Sequence, residues 1–209
     1  MRLFGPEIFV PAVWLLGRAY FGVRFEGVEN IPKAGPLIIA PNHVTYADPP
    51  LVTLPMPRQV YFMAWNRLFD VPLFGRVIRF FRAFPLETES ADPTAVRGAA
   101  RLLKAGQAVM IFPEGRRTPD GRLLRFKPGA FRLACSLGAP IVPVTIVGGH
   151  EAWPPQRTFP RPGRITIVYH PPVMPAAGMP PRIAAPELAR RVRAAIASRL
   201  PPHQQPDPS

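Results

Sequence analysis

The segment from Asn42 to Asp48 places an imidazole, that of His43, and a carboxylate, that of Asp48, close together after an apolar run. A carboxylate bonded to one ring nitrogen of a histidine fixes the tautomer and stabilises the imidazolium formed after proton uptake. Such a pair can act as a general base toward a hydroxyl group. The alternative is structural, with His43 as a polar group at a strand-to-helix turn and Asp48 as a helix N-cap, because this spacing alone is a weak signal.

A second polar segment, Glu114-Gly115-Arg116-Arg117, follows the apolar run 108–112. Glycine lets a backbone approach a ligand closely, and the planar forks of arginine match phosphate oxygens. Glu114 could fix an arginine or accept a hydrogen bond from a substrate hydroxyl. A solvated loop is the alternative. Because ligand sites in α/β proteins gather at the carboxyl ends of strands, we expect this segment and His43 at the same end of one sheet.

Apolar runs that alternate with helical patterns predict the elements that position these residues. The predicted strands are residues 23–26, 36–40, 60–64, 108–112, 141–147 and 165–169. The predicted helices are residues 93–105, 129–137 and 184–200. This alternation predicts a single α/β domain with a mixed, largely parallel sheet flanked by helices.

The chain divides into three predicted parts. Residues 1–25 are apolar and aromatic, but Pro11 and Arg18 interrupt the run before it reaches the roughly 20 apolar residues of a spanning helix. We expect an amphipathic helix on a membrane surface there, with a core helix as the alternative and no signal peptide. Residues 26–200 would form the catalytic domain, and residues 201–209 are expected to be a disordered tail.

The net charge of +13 and the pI near 11.4 imply a negatively charged partner, which could be nucleic acid, anionic lipid or a phosphorylated substrate. A basic nonenzymatic module that binds nucleic acid or a membrane is therefore an alternative to an enzyme. No nucleic-acid-binding motif accompanies the charge, so we expect no nucleic acid partner. The histidines and the single cysteine show no metal-ligand spacing, and we expect neither a metal nor a cofactor.

Together the two polar segments resemble the glycerolipid acyltransferases of the lysophosphatidic acid acyltransferase type, which share an NHxxxxD block and an FPEGTRS block. The resemblance extends to the lysine-glycine-alanine stretch at 127–130 and to the proline-containing apolar run at 141–144. It implies that His43 is the catalytic base and that Asp48 orients it. It also implies that five residues bind the acceptor: Glu114, Gly115, Arg116, Arg117 and Lys127.

The resemblance further implies a reaction. A fatty acyl group would move from acyl-CoA or acyl carrier protein to a lysophospholipid hydroxyl, in the first place that of 1-acylglycerol 3-phosphate, giving phosphatidic acid for phospholipid synthesis. The enzyme would work on the cytoplasmic face of a membrane with anionic lipids. Thr88 stands where the family often has a phosphate-contacting arginine, with Arg79 and Arg82 nearby. A different lipid hydroxyl acceptor is therefore the alternative.

Overall fold

A computed structural model of the chain describes residues 15, 18–65, 69–70, 75–76, 83–86 and 93–206. The strands within these residues are β1 (Arg24–Glu26), β2 (Leu37–Pro41), β3 (Val60–Trp65), β4 (Ala83–Leu86), β5 (Ala108–Met110), β6 (Ile141–Val147) and β7 (Thr166–Tyr169). The α-helices that lie wholly within the described residues are α1 (Asp48–Thr53), α2 (Pro93–Lys104), α3 (Gly129–Leu137), α4 (Gly149–Ala152) and α5 (Pro181–Ala197). Short 3₁₀ helices cover Val28–Asn30 and Pro202–Gln204.

The strands of the described residues form one sheet in the order β1-β7-β6-β2-β5-β3-β4. Their pairings are parallel apart from that of β6 with β7, which is antiparallel. All residues of the central strand β2 are buried, which explains its continuous apolar run. The register pairs Ile39 with Met110, so the chain leaves β2 and β5 at the same end of the sheet. The predicted α/β fold with a mixed, largely parallel sheet is confirmed.

Both faces of the sheet are covered, because alternate side chains of each strand point to opposite sides. On one face Ile38 packs in a core with Phe131 of α3 and Leu188 of α5. On the other face Ile39 packs in a core with Leu51 of α1. Full burial of an aliphatic side chain of this size stabilises a fold by about 1.5–3 kcal/mol relative to exposure. These two apolar cores fix the positions of the strand ends that the two polar segments follow.

The C-terminal residues 201–206 pack against the domain through hydrogen bonds. Gln204 is buried. Its side-chain amide donates to Glu151 Oε1 at 2.7 Å, and its backbone carbonyl accepts the N–H of Leu123 at 3.1 Å. The amide of Gln205 donates to the carbonyls of Ala197 and Leu200. The expected disordered tail is therefore wrong for residues 201–206, because glutamine side chains here satisfy hydrogen bonds that composition does not reveal. Residues 207–209 lie outside the described residues.

The predicted N-terminal membrane-surface helix falls mainly on residues 1–14 and 16–17, which lie outside the described residues. Residues 18–21 are helical. The hydroxyl of Tyr20 donates to the carbonyl of Pro160 at 3.0 Å, and the carbonyl of Phe21 accepts the N–H of Ile165 at 3.0 Å. In the part of the chain that the structure describes, no helix is both long and apolar enough to span a membrane.

Candidate active site

Asn42 fixes the point at which the chain leaves β2. Its side-chain Oδ1 accepts the N–H of Ile146 at 2.7 Å, and its Nδ2 donates to the carbonyl of the same residue at 3.1 Å. The side chain is buried, so this amide takes the place of a backbone partner for the last residues of β6. The backbone after Asn42 can then turn out of the sheet and carry His43 to its carboxyl end. Sequence reasoning treated Asn42 only as part of a motif.

His43 and Asp48 form a hydrogen-bonded pair, with 2.8 Å between Nδ1 and Oδ2. The same Oδ2 accepts the N–H of Val44 at 2.7 Å and that of Thr45 at 2.9 Å, and Oδ1 accepts the Thr45 hydroxyl at 2.9 Å. Backbone N–H groups only donate, so Oδ2 is an acceptor and Nδ1 of the histidine carries the proton. The lone pair of the imidazole therefore lies on Nε2.

The two members of the pair differ in exposure. The Asp48 side chain is fully buried, whereas that of His43 is 19% exposed, and no described residue forms a hydrogen bond with Nε2. Nε2 is thus the atom that can take a proton from a substrate. Asp48 begins α1 but makes no capping bond to it, since its carboxylate turns back to residues 43–45. The N-cap alternative for Asp48 is therefore wrong.

Residues 112–118, which include the second polar segment, contact His43 at three points. The ring of Phe112 stacks on the imidazole with 3.9 Å between centroids and an interplanar angle of 24°. Glu114 Oε1 accepts the backbone N–H of His43 at 2.7 Å, and the N–H of Thr118 donates to its carbonyl at 2.9 Å. The ring plane and both backbone polar groups of His43 are fixed by residues 112–118. The expectation that the two segments meet at one end of the sheet is confirmed.

Glu114, the first residue of the second polar segment, is buried where this segment meets the segment of His43, and its exposure is 3%. Its Oε1 bonds His43 as described, and its Oε2 accepts the N–H of Leu124 at 2.8 Å. Burial raises the pKa of Glu114 to about 7, opposed by these two backbone hydrogen bonds, while the charge of Asp48 adds to the increase and Arg193 opposes it. Both oxygens are engaged by backbone donors, so this geometry fits a residue that positions the histidine better than the predicted contact with the acceptor.

The other predicted acceptor residues lie on and beside the turn that follows Glu114. Gly115 has a φ of +73°, and a Cβ built there would lie 2.6 Å from Cε of Lys127, so glycine permits both the turn and the passage of the lysine side chain over it. The N–H of Lys127 donates to the carbonyl of Pro113 at 2.7 Å. Arg116 is exposed on this turn, and Arg117 is half-buried. Two cationic side chains, Lys127 and Arg117, thus flank the segment that holds the histidine.

Tyr46 is a site residue that sequence reasoning missed. Its ring lies under the guanidinium of Arg117, with 3.3 Å from Cζ to the ring centroid. The signal available in the sequence is an aromatic residue between His43 and Asp48. Because Tyr46 belongs to the turn that carries the base, this contact connects the base to an arginine of the second segment.

Helix α4 supports the same turn from the other side. Gly149, the first residue of α4, lies so close to it that an added Cβ would stand 2.7 Å from Cγ2 of Val44 and 3.2 Å from Cγ2 of Thr45. Thr88, Arg79 and Arg82 lie outside the described residues. Among the residues that are described, no group of three or more histidine, cysteine or acidic side chains is arranged as metal ligands would be.

Comparison with known proteins adds a family to this geometry. Residues 22–147 match the Acyltransferase family. The chain is 32% identical over 212 residues to a 1-acyl-sn-glycerol-3-phosphate acyltransferase of Pseudomonas aeruginosa, a match that covers 95% of this chain and 79% of that protein. It is 29% identical over 173 residues to a chloroplastic 1-acyl-sn-glycerol-3-phosphate acyltransferase of Arabidopsis thaliana, covering 79% of this chain and 48% of the plant protein. The chain therefore spans about half the length of that chloroplastic relative.

A solved structure shares the fold. The crystal structure of the 1-acyl-sn-glycerophosphate acyltransferase from Thermotoga maritima superposes with a TM-score of 0.74 at 29% sequence identity. The match covers 91% of this chain and 77% of that one.

Proposed function

Because the chain belongs to the acyltransferase family, we propose that it transfers a fatty acyl group from a thioester donor to the free hydroxyl of 1-acylglycerol 3-phosphate. The product is phosphatidic acid, and the donor is acyl-CoA or acyl carrier protein. The observation that carries this proposal is the Asp48-bonded His43, which is partly exposed and whose backbone is held by Glu114, at the start of the turn that carries Arg117. The matches to the relatives from Pseudomonas aeruginosa and Thermotoga maritima, which are named for this reaction, cover most of both chains, and this supports the choice of acceptor.

In the proposed reaction His43 acts as a general base. Its Nε2 takes the hydroxyl proton of the acceptor as the hydroxyl oxygen attacks the thioester carbonyl. The tetrahedral intermediate then collapses, the carbon–sulfur bond breaks, and the leaving thiolate receives the proton from the imidazolium. Asp48 stays hydrogen-bonded to Nδ1 and stabilises the imidazolium between the two transfers. The acyl group passes directly between the substrates, and the step requires no metal or cofactor.

The acceptor is proposed to bind through its phosphate. Arginine and lysine both pair with phosphate oxygens, and arginine does so with two parallel N–H groups. Arg117 lies on the turn that follows Glu114, and the Lys127 side chain passes over Gly115 of that turn, so a phosphate held there would bring the neighbouring hydroxyl toward Nε2. A phosphorylated acceptor can pair with the guanidinium of Arg117, whereas a neutral lipid cannot, which favours 1-acylglycerol 3-phosphate.

We place the reaction at the cytoplasmic surface of a membrane, because the acceptor and the product are lipids. A net charge of +13 attracts anionic headgroups, with about 1 kcal/mol for each basic residue near the surface. A nonenzymatic basic module would explain the charge equally well. It would not explain why a fully buried aspartate spends four hydrogen bonds on the turn that holds His43.

The experiment that tests this function incubates purified protein with labelled acyl-CoA or acyl carrier protein and a panel of acceptors. The panel contains 1-acylglycerol 3-phosphate, lysophosphatidylcholine, monoacylglycerol and glycerol 3-phosphate. We expect labelled phosphatidic acid from the first acceptor and at least about 100-fold slower formation of it by the His43→Ala variant. Transfer to monoacylglycerol in preference to the phosphorylated acceptors would contradict the proposed acceptor. Absence of transfer to every acceptor, together with salt-sensitive binding of nucleic acid, would favour the nonenzymatic alternative.

A further inference from the structure

Three side chains form a stack beside the His43–Asp48 pair. The guanidinium of Arg117 lies on one side of the Tyr46 ring, 3.3 Å from its centroid. The ring of Trp153 packs against Tyr46 with 5.8 Å between centroids and a tilt of 51°. The indole N–H of Trp153 donates to the carbonyl of Arg157 at 3.0 Å, which fixes the indole. The stack thus runs from the residue after α4, through the turn of the base, to an arginine of the second segment.

One nitrogen of Arg117 is unusually placed. Its Nη1 is buried and has no hydrogen-bond partner among the described residues. A buried donor without a partner costs about 1–3 kcal/mol, and a cation against an aromatic face recovers about 0.5–2 kcal/mol. The ring of Tyr46 therefore offsets much of the cost of burying this nitrogen. A structural arginine would ordinarily bond a carboxylate or a carbonyl instead.

A guanidinium that is already fixed binds an anion better than a mobile one. A free arginine side chain loses rotamer freedom when it engages a ligand, at a cost of about 0.5–1.5 kcal/mol for a rotamer-rich side chain. Contact with the Tyr46 ring removes much of that freedom before the ligand arrives. The ring of tyrosine is well suited to this because it has few rotatable bonds, and Trp153 restricts it further.

We propose that Tyr46 is a positioning residue for acceptor binding: its ring, supported by Trp153, holds Arg117 in the orientation that engages the phosphate monoester of the acceptor. This inference rests on the proposed function and deepens it. Because Tyr46 lies between His43 and Asp48, the phosphate-binding arginine and the base are supported by one short turn. The distance from the phosphate to the base is then set by this turn.

The experiment compares the Tyr46→Phe and Tyr46→Leu variants in steady-state kinetics with 1-acylglycerol 3-phosphate. We expect Tyr46→Leu to raise the KM for the acceptor by about 2- to 13-fold, the factor that corresponds to the rotamer cost of an unfixed arginine side chain, with kcat within about twofold. Tyr46→Phe keeps the ring and should stay within about twofold of the parent in both constants. Trp153→Leu should raise KM in the same direction but by less.

A second set of variants tests whether Tyr46 acts through Arg117. In an Arg117→Ala background, Tyr46→Leu should have no further effect on the KM, because the residues act together. An unchanged or lowered KM in the Tyr46→Leu single variant would overturn the proposal. Equal loss in Tyr46→Phe and Tyr46→Leu would also overturn it, since the hydroxyl rather than the ring would then matter. Equal effects of Tyr46→Leu with and without Arg117 would show that the ring acts through another group.

A binding measurement separates this proposal from the proposed reaction. Calorimetric titration with a short-chain 1-acylglycerol 3-phosphate needs no turnover, and we expect Tyr46→Leu to weaken its binding by the same factor as the rise in KM. If the parent protein binds this lipid and shows the Tyr46 effect but transfers no acyl group, the reaction is wrong and the positioning role stands. If the parent transfers acyl groups and Tyr46→Leu binds the lipid normally, the positioning role is wrong and the reaction stands.

Discussion

The carboxylate of Glu114 accepts the backbone N–H of His43 at 2.7 Å, across 71 residues of sequence. Its other oxygen accepts the N–H of Leu124 at 2.8 Å, so one buried side chain connects the base, the turn with the arginines and the loop beyond it. A displacement of either segment would stretch a hydrogen bond to a buried carboxylate. The base and the acceptor-binding turn therefore behave as one rigid unit.

This arrangement predicts a pH-dependent contribution of Glu114 to stability. Its folded-state pKa is about 7, against 4.5 as the ordinary value, so between these pH values the native state binds more protons than the unfolded state. Stability from this group is complete below about pH 4.5 and is lost as the pH rises through about 7. The free energy of unfolding of the parent, minus that of Glu114→Gln, should therefore fall from pH 4.5 to 7 and stay level above. Urea unfolding across this range measures the difference, and a difference independent of pH would contradict the prediction.

The His43–Asp48 pair predicts different losses for its two members. His43→Ala should lower kcat by about 10²- to 10⁴-fold, the usual contribution of a general base, with little change in stability because the imidazole is partly exposed. Asp48→Asn should lower kcat and also destabilise the fold by about 2–4 kcal/mol. The amide oxygen of asparagine can keep the bonds of Oδ2 but carries no charge, and the NH₂ group then stands in the place of Oδ1 and cannot accept the Thr45 hydroxyl. Acyl-transfer kinetics and urea unfolding of the two variants test this contrast.

Near-normal turnover by His43→Ala would remove the base from the mechanism. Equal destabilisation by both substitutions would mean that the imidazole, and not only the carboxylate, is required for the turn to form.

Adjacent arginines offer a matched pair of variants. Arg117 is half-buried against Tyr46, whereas Arg116 is exposed on the same turn. We expect Arg117→Ala to raise the KM for 1-acylglycerol 3-phosphate by about 10- to 100-fold, the equivalent of a charge-assisted hydrogen bond, with a smaller effect on kcat. Arg116→Ala removes the same charge and should change the KM by less than about threefold. Similar effects of both substitutions would indicate a general electrostatic attraction in place of a specific contact.

The parts of the fold that follow local periodicity were predictable from the sequence. The predicted strand 141–147 and helix 129–137 coincide with β6 and α3. Strand β4 escaped prediction because it is short and contains Pro85, and its pairing with β3 is set by the sheet rather than by its own residues. Gln204 was expected in a disordered tail because glutamine and proline are common in such tails, yet its amide fits an acceptor on α4.

Within the site, the sequence predicted the functional residues His43 and Asp48, because their residue types are rare in the chain and reactive. The roles of Asn42 and Tyr46 could not be predicted, since their partners, Ile146 and Arg117, are distant in sequence and meet them only in the folded sheet. For Glu114 the sequence indicated a carboxylate in the site, but not the direction in which its side chain points. That direction depends on which backbone N–H groups remain unpaired after the two strands end.

The close approach of α4 to the turn of the base predicts a further effect, for Gly149→Ala. A Cβ there would stand 2.7 Å from Cγ2 of Val44, so the turn must move, and overpacking of this kind costs about 1–3 kcal/mol. Because the displaced turn carries His43, we expect kcat to fall together with stability. Gly129→Ala is the control. A Cβ at Gly129, the first residue of α3, meets no atom of the described residues within 4 Å apart from its own helix, and alanine is the better helix former. Acyl-transfer kinetics and thermal unfolding should show a loss of kcat and of stability in Gly149→Ala, and parent-like or higher stability in Gly129→Ala. Normal turnover of a destabilised Gly149→Ala protein would show that the turn tolerates displacement.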